Sequence, residues 1–402
     1  MQEKKSLNLE FIALMASLMS IVALCIDAIL PAISQIGLSI HNVSGSSNQL
    51  LVTMIFLGLG IGQLFFGPLS DSFGRKPIVY YGFIIFFIAS IICVCAPSLE
   101  WMILGRILQG IGLSAPRTIS ISIIRDTYKG NYMAKVMSFV TTVFILIPVI
   151  APLMGKFILE HYNWKGIFYV QLLISVFVTI WFWKRQPETL KPEYKVRFNG
   201  TVFIDGVKEL INHKETIVFT IISGFITGAF MVYLSASQHI FENQYHLVDE
   251  FPFIFAGLAI GIGVATFLNG TLVMRLGMHK LAFVAILAFT LNAAIYVILF
   301  WTTNSNPSLY VLLIFMAIQF FTIGFIFGNI RAIAMEPIGH IAGIGAAITG
   351  FTATLIAVPI ATYVGNYIDK TALPLFIGFS VFGLLSLFLF LITKRKTSPT
   401  RI

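Results

Sequence analysis

Residues 62–77 read GQLFFGPLSDSFGRKP, and the reading of this stretch decides the fold. Gly67 and Pro68 are expected to relax the end of one helix, and Gly74 permits a tight turn. Asp71, Arg75 and Lys76 then place opposite charges within reach of one another. Apolar runs at about 49–69 and 77–96 flank the turn, each close to the roughly 20 residues that cross a hydrocarbon core. A short charged turn between two such runs predicts a helical hairpin with its bend at a membrane face.

The pattern continues in both directions. Spans are predicted at about 11–33, 49–69, 77–96, 98–121, 134–157, 164–184, 215–238, 252–274, 280–301, 308–331, 341–365 and 371–393. The composition agrees: 57% hydrophobic, 11% charged, mean hydropathy +0.91. A water-soluble core could not absorb that much apolar surface. Lys4 and Lys5 precede the run from Phe11, which is too long for a cleavable leader and reads as a retained first helix. Cys25, Cys93 and Cys95 all fall in apolar runs and suggest no disulfide framework.

Lysine and arginine give the orientation. Twenty-one of the 26 fall on one side of the predicted topology, which the positive-inside rule makes cytoplasmic, with both termini there. The basic balance therefore speaks to topology and anionic lipid, not to nucleic acid. Residues 185–214 form the longest polar segment, a cytoplasmic linker loop dividing a six-helix half (1–184) from a second (215–402). A weak repeat accompanies the division: GPLSDSFG at Gly67–Gly74 and GTLVMRLG at Gly270–Gly277 each follow a span. The second copy has Met274 where the first has Asp71. The fold class is all-α integral membrane, twelve helices in two pseudo-repeated halves around a central cavity.

Polar residues inside the spans are the candidate site. Asp27, in IVALCIDAILPAI (Ile21–Ile33), is the acid clearly inside a span. It is either a proton or substrate site or a packing carboxylate bonded to a neighbouring helix. Span four reads RILQGIGLSAPRTIS; Arg106 and Arg117 share a face, about 20° out of phase, with Gln109 beside them. They would line a watery cavity, pair with an acid or hold helices together, and Arg117 could simply snorkel. Pro148, Pro152 and Gly155 predict a kink in span five. Phe230 and Tyr233 are candidate cavity walls, and Arg331, Glu336 and His340 form a candidate cytoplasmic turn network or gate. Methionine pairs such as Met274 and Met278 read as packing, and no metal site is expected.

These motifs resemble the major facilitator superfamily. Gly67, Asp71, Gly74, Arg75 and Lys76 match its loop signature between helices two and three, which implies a latch favouring one access state. Arg106 and Gln109 match its fourth-helix motif, whose arginine is linked to proton transfer in exporters. IPVIAPLMGK resembles the exporter motif of helix five, although Ala151 and Lys156 depart from it. DAILPAISQIG, SQHIFENQYHL, FLNGTLVMRLGM and AMEPIGHIAG resemble the Bcr/CflA-type drug-resistance branch.

No nucleophile elbow, nucleotide cradle or metal-ligand helix points to an enzyme, and no filter-like repeat to a channel. The expectation is a monomeric secondary transporter of a bacterial inner membrane, with no cofactor and a proton gradient as energy source. Its partners would be protons, the lipid bilayer and a small-molecule substrate. Proton-coupled antiport of amphipathic drug-like compounds leads. The alternative is one metabolite, such as a siderophore, metal chelate or amino-acid derivative, possibly imported.

Overall fold

The computed structural model describes residues 8–41, 45–128, 130–195, 201–303 and 305–394. The lysines and arginines at 4, 5, 129, 197, 395, 396 and 401, which entered the charge tally, lie outside the described residues. No strand occurs among the described residues. The long helices are α1 (Leu9–Asp27), α2 (Leu50–Phe73), α3 (Arg75–Val94), α4 (Leu99–Thr127), α5 (Gly130–His161) and α6 (Trp164–Arg185). They are followed by α7 (Lys214–Gln238), α8 (Phe251–Leu276), α9 (Met278–Phe300), α10 (Leu309–Met335), α11 (Ala342–Gly365) and α12 (Leu373–Lys394). Among the described residues, eleven of these are long and apolar enough to cross a membrane. The 32-residue α5 completes the series.

One pairing scheme occurs twice. In the first six helices α4 packs on α2 and α3, α1 on α5, and α3 on α6. In the last six α10 packs on α8 and α9, α7 on α11, and α9 on α12. Two seams join the sets, α2 along α11 and α5 along α8. Where a helix faces outward it is apolar: Ile84, Ile88 and Ile91 make an exposed stripe on α3, as hydrocarbon contact requires.

Glycine lets α2 and α4 approach until side chains no longer separate the backbones. A Cβ built on Gly58 would lie 2.0 Å from the Ile107 carbonyl oxygen, and one on Gly110 2.1 Å from that of Ile55. Contact this close substitutes for the hydrophobic drive that lipid cannot supply between helices.

Three elements differ from the sequence expectation. The first span is not continuous to Ile33: α1 ends at Asp27, and a 3-10 turn (Leu30–Ala32) and a short helix (Ile33–Ser39) follow. Pro31 has no N–H to continue the ladder. The second helix does not end at Gly67–Pro68 but runs to Phe73 with Pro68 inside it, since one missing N–H is tolerated where neighbours satisfy the backbone. The bend is instead at Gly74, with φ +109°. Finally, the central loop contains a linker helix, Thr201–Asn212. Its polar face lowers the average hydropathy and hid it in a reading for spans.

Replacing Gly110 with leucine is expected to force α2 from α4 and destabilise the bundle by about 1–3 kcal/mol. Thermal unfolding in detergent would register this. Gly270→Leu, where a Cβ meets nothing within 4 Å, should leave the midpoint unchanged.

Candidate functional site

The break in α1 builds the polar centre of the first half. Side chains from three other helices serve carbonyls around the break: Arg106 Nη2 donates to Cys25 O at 3.0 Å, Gln171 Nε2 to Leu24 O at 3.4 Å, and Gln238 Nε2 to Pro31 O at 3.2 Å. Gly155 of α5 lies directly against the break, where a Cβ would come within 1.9 Å of Ala28 O. Pro148 and Pro152 sit inside α5 one and two turns earlier, within a helix assigned without interruption.

Asp27 ends α1 at 5% exposure, and its carboxylate takes part in no hydrogen bond or ion pair among the described residues. Tyr233 of α7 lies within electrostatic reach of it. Its ring is gripped by Phe320, Phe255 and Phe230, with centroids at 4.5, 5.9 and 6.3 Å. Its hydroxyl is buried and has no hydrogen-bond partner among the described residues. Tyr233, expected to wall a cavity, is instead buried with Phe320 inside an aromatic cluster beside the half-buried Phe230, which leaves one unbonded phenol near a carboxylate of the other half.

Arg106 does not line a cavity with Arg117, as their shared face suggested. It is fully buried. Besides Cys25 O, its guanidinium donates from Nε to Leu51 O at 2.8 Å and from Nη1 to Gln109 Oε1 at 2.8 Å. Gln109 Nε2 donates in turn to Ser90 Oγ at 2.8 Å. One guanidinium with five donors therefore ties α1, α2 and α4 together, and α3 through the amide. It bonds to the backbone two residues before Asp27, not to the carboxylate.

Arg117 is half-buried on α4 and within electrostatic reach of Arg331, which is exposed on α10. Neither guanidinium has a hydrogen bond among the described residues. Arg331 and Glu336, two of the three residues expected in one network, are not joined to each other. Five helical residues place Arg331 and Glu336 about 140° apart, and the exposed Glu336 carboxylate has no ion pair among the described residues. The His340 side chain lies outside the described residues.

At the basic end the loop motif forms a closed network within one half. Arg75, 3% exposed, donates to Asp71 and Ser70 on α2 and from Nε to Asp126 on α4 at 2.9 Å. Glu188, just beyond α6, accepts from the backbone N–H groups of Arg75 at 3.1 Å and Lys76 at 3.0 Å, capping α3. Lys76 Nζ donates to Trp183 O at 3.0 Å. Gly74 must be glycine twice over: φ is left-handed, and a Cβ would lie 2.8 Å from the Glu188 carboxylate. Burial pushes the Glu188 carboxyl up, but backbone N–H donors at Leu190, Lys76, Arg75 and Thr189 outweigh it and hold the group below its ordinary value. In the second half Met274 is exposed and Gly277 keeps φ +78°, so the turn survives without the network.

The opposite end carries ties between halves. Lys156 Nζ of α5 lies 2.7 Å from Asp249 Oδ1, just before α8, and donates to Asp249 O at 3.1 Å. Beside it Gln238, besides holding Pro31 O, donates to Glu242 at 2.7 Å.

Sequence reading missed Ser90, Asp126, Glu188 and the Lys156–Asp249 pair. An acid inside the basic runs RDT and WKRQPETL was the available signal for Asp126 and Glu188. Nothing local in the sequence pairs Lys156 with a residue 93 positions away.

Comparison with known proteins agrees with this architecture. The family described as Major Facilitator Superfamily matches residues 12–358. A protein of Bacillus subtilis named Uncharacterized MFS-type transporter YdgK is 28% identical over 377 residues, 92% of each chain. A Bicyclomycin resistance protein homolog of Haemophilus influenzae is 29% identical over 262 residues, 65% of this chain and 66% of that one. The crystal structure of a D-xylose-proton symporter superposes with a TM-score of 0.75 at 16% identity, covering 94% of this chain and 95% of that one.

The sign of the Glu188 shift fixes a pH dependence. Because folding lowers its pKa, its contribution is complete above the ordinary glutamate pKa of about 4.3 and is lost as pH falls through the lower folded value. Limited proteolysis after Lys191 should therefore be constant from neutral pH down to about 5 and rise only in stronger acid. Glu188→Gln should raise cleavage at neutral pH and flatten the acid rise.

Proposed function

This chain belongs to the major facilitator superfamily, and from that premise we propose that it is a proton-coupled exporter of small amphipathic compounds working by alternating access. The observation that carries the reading is Asp27: a carboxylate inside a spanning bundle, 5% exposed, with no ion pair or hydrogen bond among the described residues. An acid bonded for packing would have a partner; one that takes up and releases a proton or a cationic group must be able to stand without one. Beside it the buried cluster of Phe230, Tyr233 and Phe320 holds one unbonded hydroxyl among aromatic rings, a surface that would suit an amphipathic molecule once it opens. Likeness to a bicyclomycin resistance homolog and resemblance to the Bcr/CflA branch support a drug-like substrate.

The ties at Lys156–Asp249 and Gln238–Pro31 close the end away from the basic face. The exposed Arg331 supports access from the basic side, which the charge distribution makes cytoplasmic. Export then begins with loading in this state. Arg106 is a positioning residue: it fixes the backbone of α1 two residues from Asp27 and leaves the carboxylate free.

A second reading, transport of one anionic metabolite, is favoured by Arg117 and Arg331. These guanidinium groups from the two halves have no acid partner among the described residues.

Inverted vesicles bearing the wild type should accumulate a cationic dye such as ethidium when a proton gradient is imposed. Asp27→Asn should reduce this to background while the protein remains folded and inserted, and Asp27→Glu should restore part of it. Undiminished uphill transport by the asparagine variant would sink the reading. Competition by a carboxylate-bearing metal chelate but not by dyes would favour the second.

A further inference from the structure

The linker helix Thr201–Asn212 is more apolar than its docking site needs. One flank packs on the bundle: a Cβ on Gly206 would lie 2.9 and 3.0 Å from side-chain carbons of Ile348 and Ile344. Leu210 is buried in a cluster with Ile338 and Ile348, against which Leu64 of α2 also packs. The helix therefore docks on α11 and α7 of the second half, and Leu64 of α2 packs against the same cluster from across the α2–α11 seam. The adjacent flank is a second stripe: Ile204, Val207 and Ile211, spaced i, i+3, i+7, are 56%, 42% and 63% exposed.

Where that stripe sits is fixed by the chain. A single residue, His213, separates the last residue of the linker helix from the first of α7. One residue spans at most about 3.6 Å, so the helix ends at the mouth of a membrane span. Its docking partner Ile348 lies six residues into α11, roughly 9 Å along that helix. A helix held at both points runs in the boundary layer of the bilayer. Lys208, next round the wheel from Ile204 and Ile211, is exposed, and so is Lys214. Asp205 is exposed on the polar face beyond Lys208. Glu209 lies further round, its carboxylate 3.2 Å from the His213 ring. The basic residues therefore border the apolar stripe, and the acids lie away from it.

We propose that the exposed flank of the linker helix is a lipid-binding surface: Ile204, Val207 and Ile211 insert into the leaflet at the basic end, and Lys208 and Lys214 engage its anionic headgroups. Apolar side chains at the acyl boundary flanked by lysines at headgroup level are what an interfacial helix requires. Because the other flank is docked on α11 beside the cluster that Leu64 of α2 also joins, the lipid surface lies next to the α2–α11 seam.

The test uses the full chain in vesicles of phosphatidylcholine with phosphatidylglycerol, with exposed Cys95 replaced by serine and buried Cys25 and Cys93 retained. Nitroxide labels are placed singly by Ile204→Cys, Val207→Cys, Ile211→Cys and, as polar-face control, Asp205→Cys. Labels at 204, 207 and 211 should collide with oxygen more than with a water-soluble nickel chelate, and the label at 205 should show the reverse. Omitting phosphatidylglycerol, or introducing Lys208→Gln, should shift the stripe labels toward water. The proposal is overturned if 204 and 211 are as accessible to nickel as 205, which would make the flank solvated. It is equally overturned if they are shielded from both reagents, which would mean that protein covers it, or if phosphatidylglycerol makes no difference.

Discussion

Within hydrocarbon no backbone carbonyl or N–H can be left to water, and this constraint organises the molecule around Pro31. A proline in the first helix costs the ladder a donor, and the helix stops at Asp27. Arginine and two glutamines from α4, α6 and α7 bond to carbonyls around the break, and Gly155 of α5 closes on it from the side. Four helices are thus arranged to repair one interruption. The acid stands beside it unbonded, because the arginine and glutamine donors at the break are committed elsewhere and mostly to the backbone.

The two halves share a pairing scheme but not a chemistry. Gln109 bonding Ser90 between α4 and α3 has its counterpart in Gln319, which accepts from Asn292 at 2.6 Å between α10 and α9. One turn before each glutamine the halves part: Arg106 in the first, the buried Met316 in the second. The loop motif parts in the same way, with Asp71 against Met274. A methionine needs nothing from its surroundings. A buried guanidinium needs several acceptors, and for Arg106 one of them is a carbonyl beside the break in α1. The interruption in α1 thus accompanies the charge at Arg106, while the loop motif differs between halves on its own account.

Most of the fold was legible in the sequence, because span length and hydropathy are properties of consecutive residues. The halves, the turn at Gly74 and the exceptional status of Asp27 could all be read that way. Arg106 could be singled out but not interpreted, since a lone arginine serves a cavity or a hub depending on carbonyls that sequence does not display. The break at Asp27 was signalled by Pro31 yet masked by apolar residues on both sides. Glu188 and Asp126 looked like ordinary polar loop residues until folding brought them to one arginine and one helix start. The linker helix was averaged away because its polar face cancels its apolar one.

The strength of the ties is distributed in a way that suits rocking halves. Arg75 is buried, and removing a partner of such a group costs about 3–5 kcal/mol, but its partners all belong to the first half. The ties that cross between halves are of another kind. Asp249 is 83% exposed in its pair with Lys156, and an exposed pair contributes about 0–1 kcal/mol. Gln63 donates to Ala346 O across the α2–α11 seam at 3.3 Å, a single neutral bond. Buried charged networks among the described residues are therefore confined to one half, while Lys156–Asp249, Gln63–Ala346 O and Gln238–Pro31 O between halves are an exposed pair and two single neutral bonds, the last of them buried. A molecule tied this way has its buried charged networks within the first half and, among the described residues, none across the seams, and the linker helix docks on the second half beside one of them.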